Sequence, residues 1–460
     1  MPLRAAREDL TAKPAKADVF WATFGKDSQL LRPWCPSTVD SDDQAANGLS
    51  FNPSEKDSSG MSMTRRDLLR STALLASASA LALTTETHGE GAPQSTMPPV
   101  NPADLLDVPD FERAAKTVMS PMAWNFVSGA AADEITLRWN HEVYEHIRLS
   151  PRALVNVSKL DTRVKLLGRE LPHPILLAPT AYQKLSHPDG ELGTVQGAAN
   201  ADATMVVSTM STVSIEDIAA ANARKASLWF QLYVQPDRGF TRELVQRAEA
   251  AGYQALVVTV DAPVLGPRYR ELRAKFNLPP GIERANFLGR AVANGGQRPT
   301  EQSIFSAILD PTLTWRDIGW LQSITKLPVL LKGIQYPDDA ERAVQAGVAG
   351  VIVSNHGARN LDTGPATIDA LPGVVAKVGG KFPVLVDGGI RRGTDVLKAL
   401  GLGAAAVLIG RPYVYGLAVD GSNGVARIVT ILRRELESAM ALCGRPSIAS
   451  IDSSVIWKSA

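Results

Sequence analysis

The chain has 460 residues, with 48 Lys and Arg against 47 Asp and Glu, 45% hydrophobic residues and two cysteines. This composition is that of a globular protein and excludes a chain that is disordered throughout. The formal net charge of +1 gives no electrostatic reason to expect nucleic acid or an acidic membrane surface as a partner. Two cysteines exclude a disulfide framework, and without CxxC pairs we expect no bound metal.

The first hundred residues are expected to lie outside the folded domain. Residues 1–60 lack a sustained apolar period, which predicts a disordered lead or a mis-assigned start. Residues 61–90 carry Arg65 and Arg66 before an uncharged run rich in Ala, Leu and Ser, and they resemble a twin-arginine signal peptide. This predicts export to the periplasm or beyond, whereas an unused signal would leave the protein cytoplasmic. Residues 91–103 are interpreted as a linker and residues 104–460 as the folded domain.

Eight short apolar runs recur along the folded domain, and amphipathic stretches that end at glycines separate them. Continuous apolar runs of this length are typical of strands that are buried on both faces. The pattern therefore predicts a (β/α)8 TIM barrel with an N-terminal helical segment, with a doubly wound open sheet as the alternative. A long insertion at residues 267–313, after the fourth strand, is expected to form a lid. The runs are Ile175–Ala178, Met205–Ser208, Leu228–Tyr233, Ala255–Asp261, Val329–Lys332, Gly350–Ser354, Val384–Asp387 and Ala406–Gly410.

Polar and charged residues follow these runs, at the end of a barrel where chemistry is normally placed. After the last two strands, glycine-rich turns carry Arg391 and Arg411, which together predict a phosphate-bearing ligand. Lys332 ends the fifth run, so we interpret it as a cation beside a cofactor rather than as an exposed surface lysine. His356, with Arg359 three residues later, suggests a general base beside an anion site, and Asp261 is expected to orient it.

Two segments carry a resemblance to a known family. Residues 354–362 (SNHGARNLD) and 387–400 (DGGIRRGTDVLKAL) resemble the signature of the FMN-dependent 2-hydroxy acid oxidases and dehydrogenases, which include glycolate oxidase, lactate oxidase and lactate monooxygenase. The matches at residues 178–184, 230–234, 259–261 and 331–333 support it, and the similarity runs from about Asp104 to Leu442. The resemblance implies a barrel that oxidises an (S)-2-hydroxy acid, lactate-like, to the 2-oxo acid, with hydride transfer to flavin N5.

The same resemblance implies roles for individual residues. His356 would take the hydroxyl proton, Asp261 would support the imidazolium, and Lys332 would stabilise the reduced flavin. Arg359 and Arg268 would bind the substrate carboxylate, and Tyr233 would hydrogen-bond the substrate. FMN would be held by Thr180, Ala181, Ser208, Gln231, Thr259, Lys332, Ser354, Asp387, Gly388, Gly389, Arg391, Gly410 and Arg411.

Two positions depart from the family pattern. Asn125 stands where the family usually has a Tyr that contacts the substrate carboxylate, and Met210 stands where some members have Trp. An amide can still donate a hydrogen bond, although its reach is shorter, so Asn125 is kept as a substrate-binding residue. Both changes bear on substrate identity more than on reaction type.

Several alternatives stay open at this point. The electron acceptor could be oxygen, a quinone or a carrier protein, and the sequence does not separate oxidase from dehydrogenase or monooxygenase. Non-redox isomerisation on FMN and a binding protein without turnover are the competing functions. The family resemblance suggests a homotetramer.

Overall fold

The computed structural model describes residues 101–222, 226–290 and 304–458. The predicted lead at 1–60, the predicted signal at 61–90 and residues 91–100 of the predicted linker lie outside these ranges. The end of the predicted linker and Asp104, the first residue of the predicted domain, form a short 3-10 helix, Pro102–Asp104. Within the described ranges, no helix is both long enough and apolar enough to span a membrane.

Three helices precede the barrel, as predicted: α1 (Val108–Val118), α2 (Pro121–Ser128) and α3 (Ile135–His146). Capping side chains fix the starts of the first two. Asp107 accepts a 2.8 Å hydrogen bond from the Asp110 amide, and Ser120 accepts one of 3.2 Å from the Ala123 amide. A proline in the first turn of each helix is compatible with helical geometry because its missing N–H would have no partner there.

A two-stranded antiparallel hairpin, β1 (Val164–Leu166) and β2 (Arg169–Leu171), follows the helices and was not predicted. Leu167 and Gly168 form its turn, both with positive φ, which is the backbone geometry of a tight hairpin turn. Leu166 and Leu171 pack against the apolar side chains of the barrel interior. The hairpin therefore contributes apolar cover to the barrel core.

Eight parallel strands close into a barrel, each hydrogen-bonded to its neighbours, and the last strand pairs with the first. This confirms the predicted TIM barrel and excludes the open sheet. The predicted runs coincide with the strands, except that several extend one or two residues past the last paired position. The strands are β3 (Ile175–Leu177), β4 (Met205–Ser208), β5 (Leu228–Leu232), β6 (Leu256–Thr259), β7 (Val329–Lys332), β8 (Gly350–Val353), β9 (Val384–Asp387) and β10 (Ala406–Ile409).

Helices surround the barrel and connect its strands. The longest, α12, is broken at Asp420 and Gly421, whose backbone is not helical, so it consists of two helices in sequence. The remaining helices are α4 (Glu191–Asn200), α5 (Ile215–Ala221), α6 (Arg238–Ala250), α7 (Tyr269–Arg273), α8 (Trp315–Ser323), α9 (Pro337–Gln345), α10 (Thr367–Val378), α11 (Gly393–Gly401) and α12 (Arg411–Leu442).

The insertion after β6 contains α7 and a 3-10 helix, Ala285–Phe287, within its described part. Helix α6 contacts the insertion on both sides of its undescribed stretch. Arg290 forms an ion pair with Glu243, and Arg238 forms one of 2.6 Å with Asp310. The insertion is thus attached to the barrel at these points, while its action as a lid stays a prediction.

Candidate active site

A cavity of about 240 Å³ opens where the barrel strands end. The carboxyl ends of parallel strands meet at one face of a barrel, so side chains far apart in sequence converge there. Most of the residues that the sequence predicts for the site do line this cavity. They are Thr180, Ala181, Ser208, Gln231, Tyr233, Thr259, Arg268, Lys332, His356, Arg359, Asp387, Gly388, Gly389, Arg391, Gly410 and Arg411.

His356 is hydrogen-bonded on both ring nitrogens. Its Nδ1 lies 2.9 Å from Asp261 Oδ1, and its Nε2 lies 3.0 Å from the hydroxyl of Tyr233. A carboxylate accepts hydrogen bonds, so we assign the proton to Nδ1, which leaves Nε2 as the basic nitrogen. Tyr233 lines the cavity and Asp261 lies behind the histidine, so the basic nitrogen is on the cavity side.

The environment of this pair favours a neutral imidazole beside an ionised carboxylate. Burial lowers the pKa of His356 below its ordinary value, and Asp261 offsets that effect only in part. Burial alone would raise the pKa of Asp261, but the adjacent His356 and Lys332 bring it below its usual value. A neutral imidazole that is held by a carboxylate is the arrangement required of a general base.

Lys332, at the end of β7, is buried and forms two polar contacts. Its Nζ lies 3.1 Å from Asp387 Oδ2 and donates a 2.7 Å hydrogen bond to Ser354 Oγ. Ser354 Oγ in turn accepts a 3.1 Å hydrogen bond from the amide of His356. Ser354 itself does not line the cavity, so in this arrangement it supports Lys332 and His356 from behind. The lysine and the carboxylate compensate each other's charge, which a buried pair requires.

Three strand-end side chains form a buried polar row beside the cavity. Gln231 donates a 2.8 Å hydrogen bond from Nε2 to Thr259 Oγ1, and its Oε1 accepts one of 3.2 Å from Ser208 Oγ. The amide orientation of Gln231 is thereby fixed from both sides. Such a row, on neighbouring strands β4, β5 and β6, can present ordered donors and acceptors to the edge of a flat polar ring.

Two arginines and a glutamate form a charged cluster at the cavity. Arg359 Nη2 donates a 2.7 Å hydrogen bond to Glu271 Oε1, and Arg268 Nη1 lies 3.6 Å from the same oxygen. Burial and the nearby Arg268 lower the pKa of Arg359 to about 9, although Glu271 opposes this shift. The Arg359 guanidinium also lies 5.0 Å from the Phe126 ring centroid, a cation–π contact. The cluster is net positive and suits a carboxylate ligand.

Arg391 and Arg411 form a second cationic region, close to the glycine turn after β9. Arg411 donates hydrogen bonds to the carbonyls of Val127, Gly129 and Gly357, at 2.8–3.1 Å. Burial and the nearby Arg391 lower the pKa of Arg411. An anion bound here would stabilise both arginines, because each lies in the positive potential of the other.

Asn125 lies outside the cavity lining and contacts an arginine of the insertion. It is absent from the described residues that line the cavity, and its Oδ1 accepts hydrogen bonds of 3.2 and 3.0 Å from Arg270 Nε and Nη2. Arg270 also donates a 2.8 Å hydrogen bond to Ser128 Oγ. In this arrangement Asn125 joins α2 to α7, and its contact with a substrate carboxylate stays a prediction. Met210, the other departure from the family pattern, does line the cavity.

Several residues at or near the cavity were not predicted from the sequence. Glu271 and Arg284 come from the insertion, whose spacing gives no strand or helix signal that would place them at the cavity. The same is true of an apolar wall that the insertion contributes, formed by Phe276, Ile308 and Leu309, with Leu265 just before the insertion. His141 on α3 was also not predicted; burial and the positive charges of Arg391 and Arg411 lower its pKa to about 3.

The described part of the chain contains no group of three or more His, Cys, Asp and Glu side chains that could hold a metal ion.

Residues 115–458 match the family described as FMN-dependent dehydrogenase. The chain is 50% identical over 352 residues to an L-lactate oxidase of Nostoc sp., covering 75% of this chain and 96% of that protein. It is 48% identical over 349 residues to a peroxisomal (S)-2-hydroxy-acid oxidase of Oryza sativa subsp. japonica, covering 75% of this chain and 94% of that one.

Solved structures give the same grouping. A mandelate oxidase variant with (S)-mandelic acid superposes with a TM-score of 0.70 at 38% identity, covering 77% of this chain and 98% of that chain. A flavocytochrome b2 variant with pyruvate bound superposes with a TM-score of 0.71 at 38% identity, covering 78% of this chain and 88% of that chain. Similarity in sequence and in backbone thus extends over the barrel and the helices that precede it.

Proposed function

Because the chain belongs to the FMN-dependent dehydrogenase family, we propose that it oxidises an (S)-2-hydroxy monocarboxylic acid, of lactate-like size, to the 2-oxo acid. The observation that carries this proposal is the meeting of a base and an anion site in one cavity. His356 Nε2 and the Arg359–Arg268 cluster both line it, so a single small acid can present its hydroxyl to one and its carboxylate to the other.

The residues at the cavity fit FMN. Among the described residues, the buried Asp387 Oδ1 and Arg391 Nε have no hydrogen-bond partner, as expected of groups that await a polar ligand. Gly388 and Gly389 both have positive φ, and a Cβ on Gly389 would collide with the Asn140 carbonyl. Side chains are therefore excluded from a turn that an anion can approach closely.

Each end of the cofactor would have its own set of residues. The polar row on β4, β5 and β6, the loop after β3 and Lys332 would hold the ring, and the turns after β9 and β10 would hold the phosphate. When bound, FMN supplies the acceptor for the two electrons and the hydrogen that leave the substrate α-carbon. The residues concerned are Thr180, Ala181, Ser208, Gln231, Thr259, Lys332, Asp387, Gly388, Gly389, Arg391, Gly410 and Arg411, while Ser354, also predicted to hold FMN, contacts Lys332 from behind.

His356 accepts the substrate hydroxyl proton at Nε2 in this proposal. As the imidazole becomes charged, Asp261 at 2.9 Å stabilises it and keeps the ring in place. Tyr233, whose hydroxyl now donates to Nε2, would transfer that hydrogen bond to the substrate. Lys332 would provide a fixed positive charge at the cavity wall, which would favour the electron-accepting role of FMN there.

The clamp for the substrate carboxylate is Arg359 with Arg268. Arg359 is held from behind, because its Nη1 donates to the carbonyls of Phe126 at 2.7 Å and Gly129 at 2.8 Å. Its position is thus fixed before substrate binds, which reduces the entropy lost on binding. A carboxylate that is held here leaves the α-carbon and its hydroxyl within the cavity that His356 also lines.

We infer that oxygen is the electron acceptor, since the relatives with the highest identities given above are named oxidases. On the family resemblance, we also propose that the protein is a homotetramer. On the sequence pattern of residues 61–90, we propose that it is exported through this signal-like segment. Light scattering of the purified protein tests the tetramer. N-terminal sequencing tests export, because cleavage after residue 80 would support it and an intact Met1 would refute it.

An anaerobic experiment tests the central proposal. The purified yellow protein is mixed with a panel of L-2-hydroxy acids, with the D enantiomers as the matched control, while the oxidised flavin band is followed. We expect bleaching with the L acids, and readmitted air should restore the band if oxygen is the acceptor. A bound flavin that no hydroxy acid reduces would contradict the proposal and favour a binding or non-redox role.

A further inference from the structure

The loop that carries His356 has an unusual backbone. His356, Gly357 and Ala358 all have positive φ, at 59°, 64° and 64°. This left-handed region is disfavoured for residues other than glycine, and such conformations persist only where the surroundings impose them. Two of the three residues are not glycine, so something outside the loop has to hold it.

Arg411 and the Ala131 amide hold the loop at the carbonyls of Gly357 and Ala358, and a further support is Asn140, which pairs with the buried Asn355. Asn140 on α3 donates from Nδ2 to Asn355 Oδ1 at 3.0 Å, and Asn355 donates from Nδ2 back to Asn140 Oδ1 at 2.9 Å. Asn355 Oδ1 also accepts a 3.0 Å hydrogen bond from the amide of Ala358, across the left-handed turn. Both side chains are at most 5% exposed, so these bonds have no competition from bulk water.

Asn140 also contacts the opposite loop, which we assign to the cofactor phosphate. Its backbone carbonyl packs against Gly389 so closely that no Cβ fits between them, and its Nδ2 lies beside Gly388. Its Oδ1 accepts a 3.2 Å hydrogen bond from the amide of Thr367, whose hydroxyl donates to the Asp387 carbonyl. A single residue therefore contacts the glycine turn through its backbone and the histidine loop through its side chain.

We propose that Asn140 is a positioning residue that joins the cofactor turn at residues 387–389 to the His356 loop, so that occupation of the first sets the geometry of the second. This inference rests on the proposed function for the identity of the ligand and of the base. Asn140 does not line the cavity and acts through Asn355, whose neighbour in the chain is His356. Cofactor binding should therefore also rigidify those residues of the histidine loop that the cofactor does not contact.

The test uses Asn140→Asp in the full-length protein. Aspartate has the same shape and still accepts from Asn355 and Thr367, but it presents a lone pair to Asn355 Oδ1 in place of a donor. The matched control is Asn222→Asp. Asn222 is also buried and exchanges two hydrogen bonds with Ala226, at 2.9 and 2.8 Å, in a position outside the cavity.

The first readout is hydrogen–deuterium exchange of residues 354–363 in the FMN-free protein and at saturating FMN. In the wild type and in Asn222→Asp, we expect FMN to slow exchange in this loop. In Asn140→Asp, FMN should bind but leave the loop exchanging at nearly its FMN-free rate. Equal protection in the two variants, or no FMN effect in the wild type, would overturn the proposal. If Asn140→Asp does not fold, Asn140→Ser is used instead, because serine is too short to donate to Asn355 Oδ1, and the same two outcomes decide the proposal.

The second readout is turnover at saturating FMN. We expect kcat of Asn140→Asp to fall by about 10- to 100-fold, the effect of misplacing a catalytic group by about 1 Å, with a smaller change in KM. The isotope effect from deuterium at the substrate α-carbon should rise towards its intrinsic value. A wild type without turnover would refute the proposed function, while the exchange experiment would still decide the role of Asn140.

Discussion

Glu271 Oε1 accepts a 2.7 Å hydrogen bond from Arg359 Nη2, so a carboxylate of the chain already engages the guanidinium that we assign to the substrate carboxylate. Arg268 approaches the same oxygen at 3.6 Å. The chain's own negative charge therefore cancels part of the field that a substrate would experience. This arrangement limits how tightly any carboxylate, substrate or product, can bind.

Replacing that charge should tighten binding. Glu271→Gln keeps an oxygen that can accept from Arg359 but removes the negative charge beside it. Charges a few ångströms apart in a partly buried site interact by a few kcal/mol, so we expect KM for hydroxy acids to fall by about tenfold. Inhibition by the 2-oxo acid product should strengthen in parallel. Glu341→Gln, which removes a surface partner of Lys377, is the control. A raised KM would instead mean that Glu271 is needed to hold Arg359 in position.

The acid limb of the pH profile should report on the His356–Asp261 pair. His356 must be neutral to accept a proton, and burial lowers its pKa, so kcat/KM should decline only as the pH falls below the ordinary histidine range. Asp261 opposes that lowering. In Asp261→Asn the acid limb should therefore move to lower pH, while kcat falls by about 10²- to 10⁴-fold as general-base catalysis weakens. An acid limb that moves to higher pH would contradict this account of the pair.

The buried Lys332–Asp387 pair predicts a specific non-additivity in stability. Lys332→Met leaves the Asp387 carboxylate buried without its cation, so the free energy of unfolding should fall by about 3–5 kcal/mol. Adding Asp387→Asn removes the stranded charge and should recover most of that loss, measured by urea unfolding of the FMN-free protein. Flavin reduction should stay impaired in both variants. If the stability losses of the single variants simply add up in the double variant, the two groups are not energetically coupled.

His141 should make the FMN-free protein sensitive to acid. Burial, Arg391 and Arg411 lower its pKa to about 3, below the unfolded value of 6.5. The unfolded chain thus binds a proton that the folded chain refuses, and stability is lost as the pH falls below 6.5. Between pH 7 and pH 5, we expect the wild type to lose about 2 kcal/mol more than His141→Gln. His146→Gln, an exposed histidine on the same helix, is the control and should lose as much as the wild type.

The sequence was sufficient to predict the barrel and the cavity-lining residues at its strand ends. Apolar runs such as Val329–Lys332 coincide with β7 because a strand that is buried on both faces needs little beyond continuous hydrophobicity. The predicted run Ala255–Asp261 is longer than β6 (Leu256–Thr259), although the Val260 amide beyond the strand still donates a 2.9 Å hydrogen bond to the Lys332 carbonyl. Polar residues at these ends converge because the carboxyl ends of parallel strands meet at one face of the barrel.

Contacts that depend on the packing of distant segments could not be predicted. Asn140 and Asn355 are separated by 215 positions, and Asn125 meets Arg270 across 145. No local period or motif encodes which buried amide pairs with which, because many pairings satisfy the same donors and acceptors. The expected role of Asn125 was drawn from the family pattern at that position and took no account of Arg270.

The main-chain carbonyls at the end of α2 bind two arginines of the barrel mouth. Arg359 and Arg411 donate to Phe126, Val127 and Gly129 across intervals of 230 to 284 residues. A fragment that begins at β3 could form all eight strands and still leave both guanidinia without these acceptors. The N-terminal helices therefore serve both the mouth and the core, because Val108, Phe111 and Phe126 are buried in the same apolar cluster as the barrel helices. Truncation from the N-terminal end should therefore remove core packing and the acceptors of both arginines at once, so anion recognition and stability should be lost together.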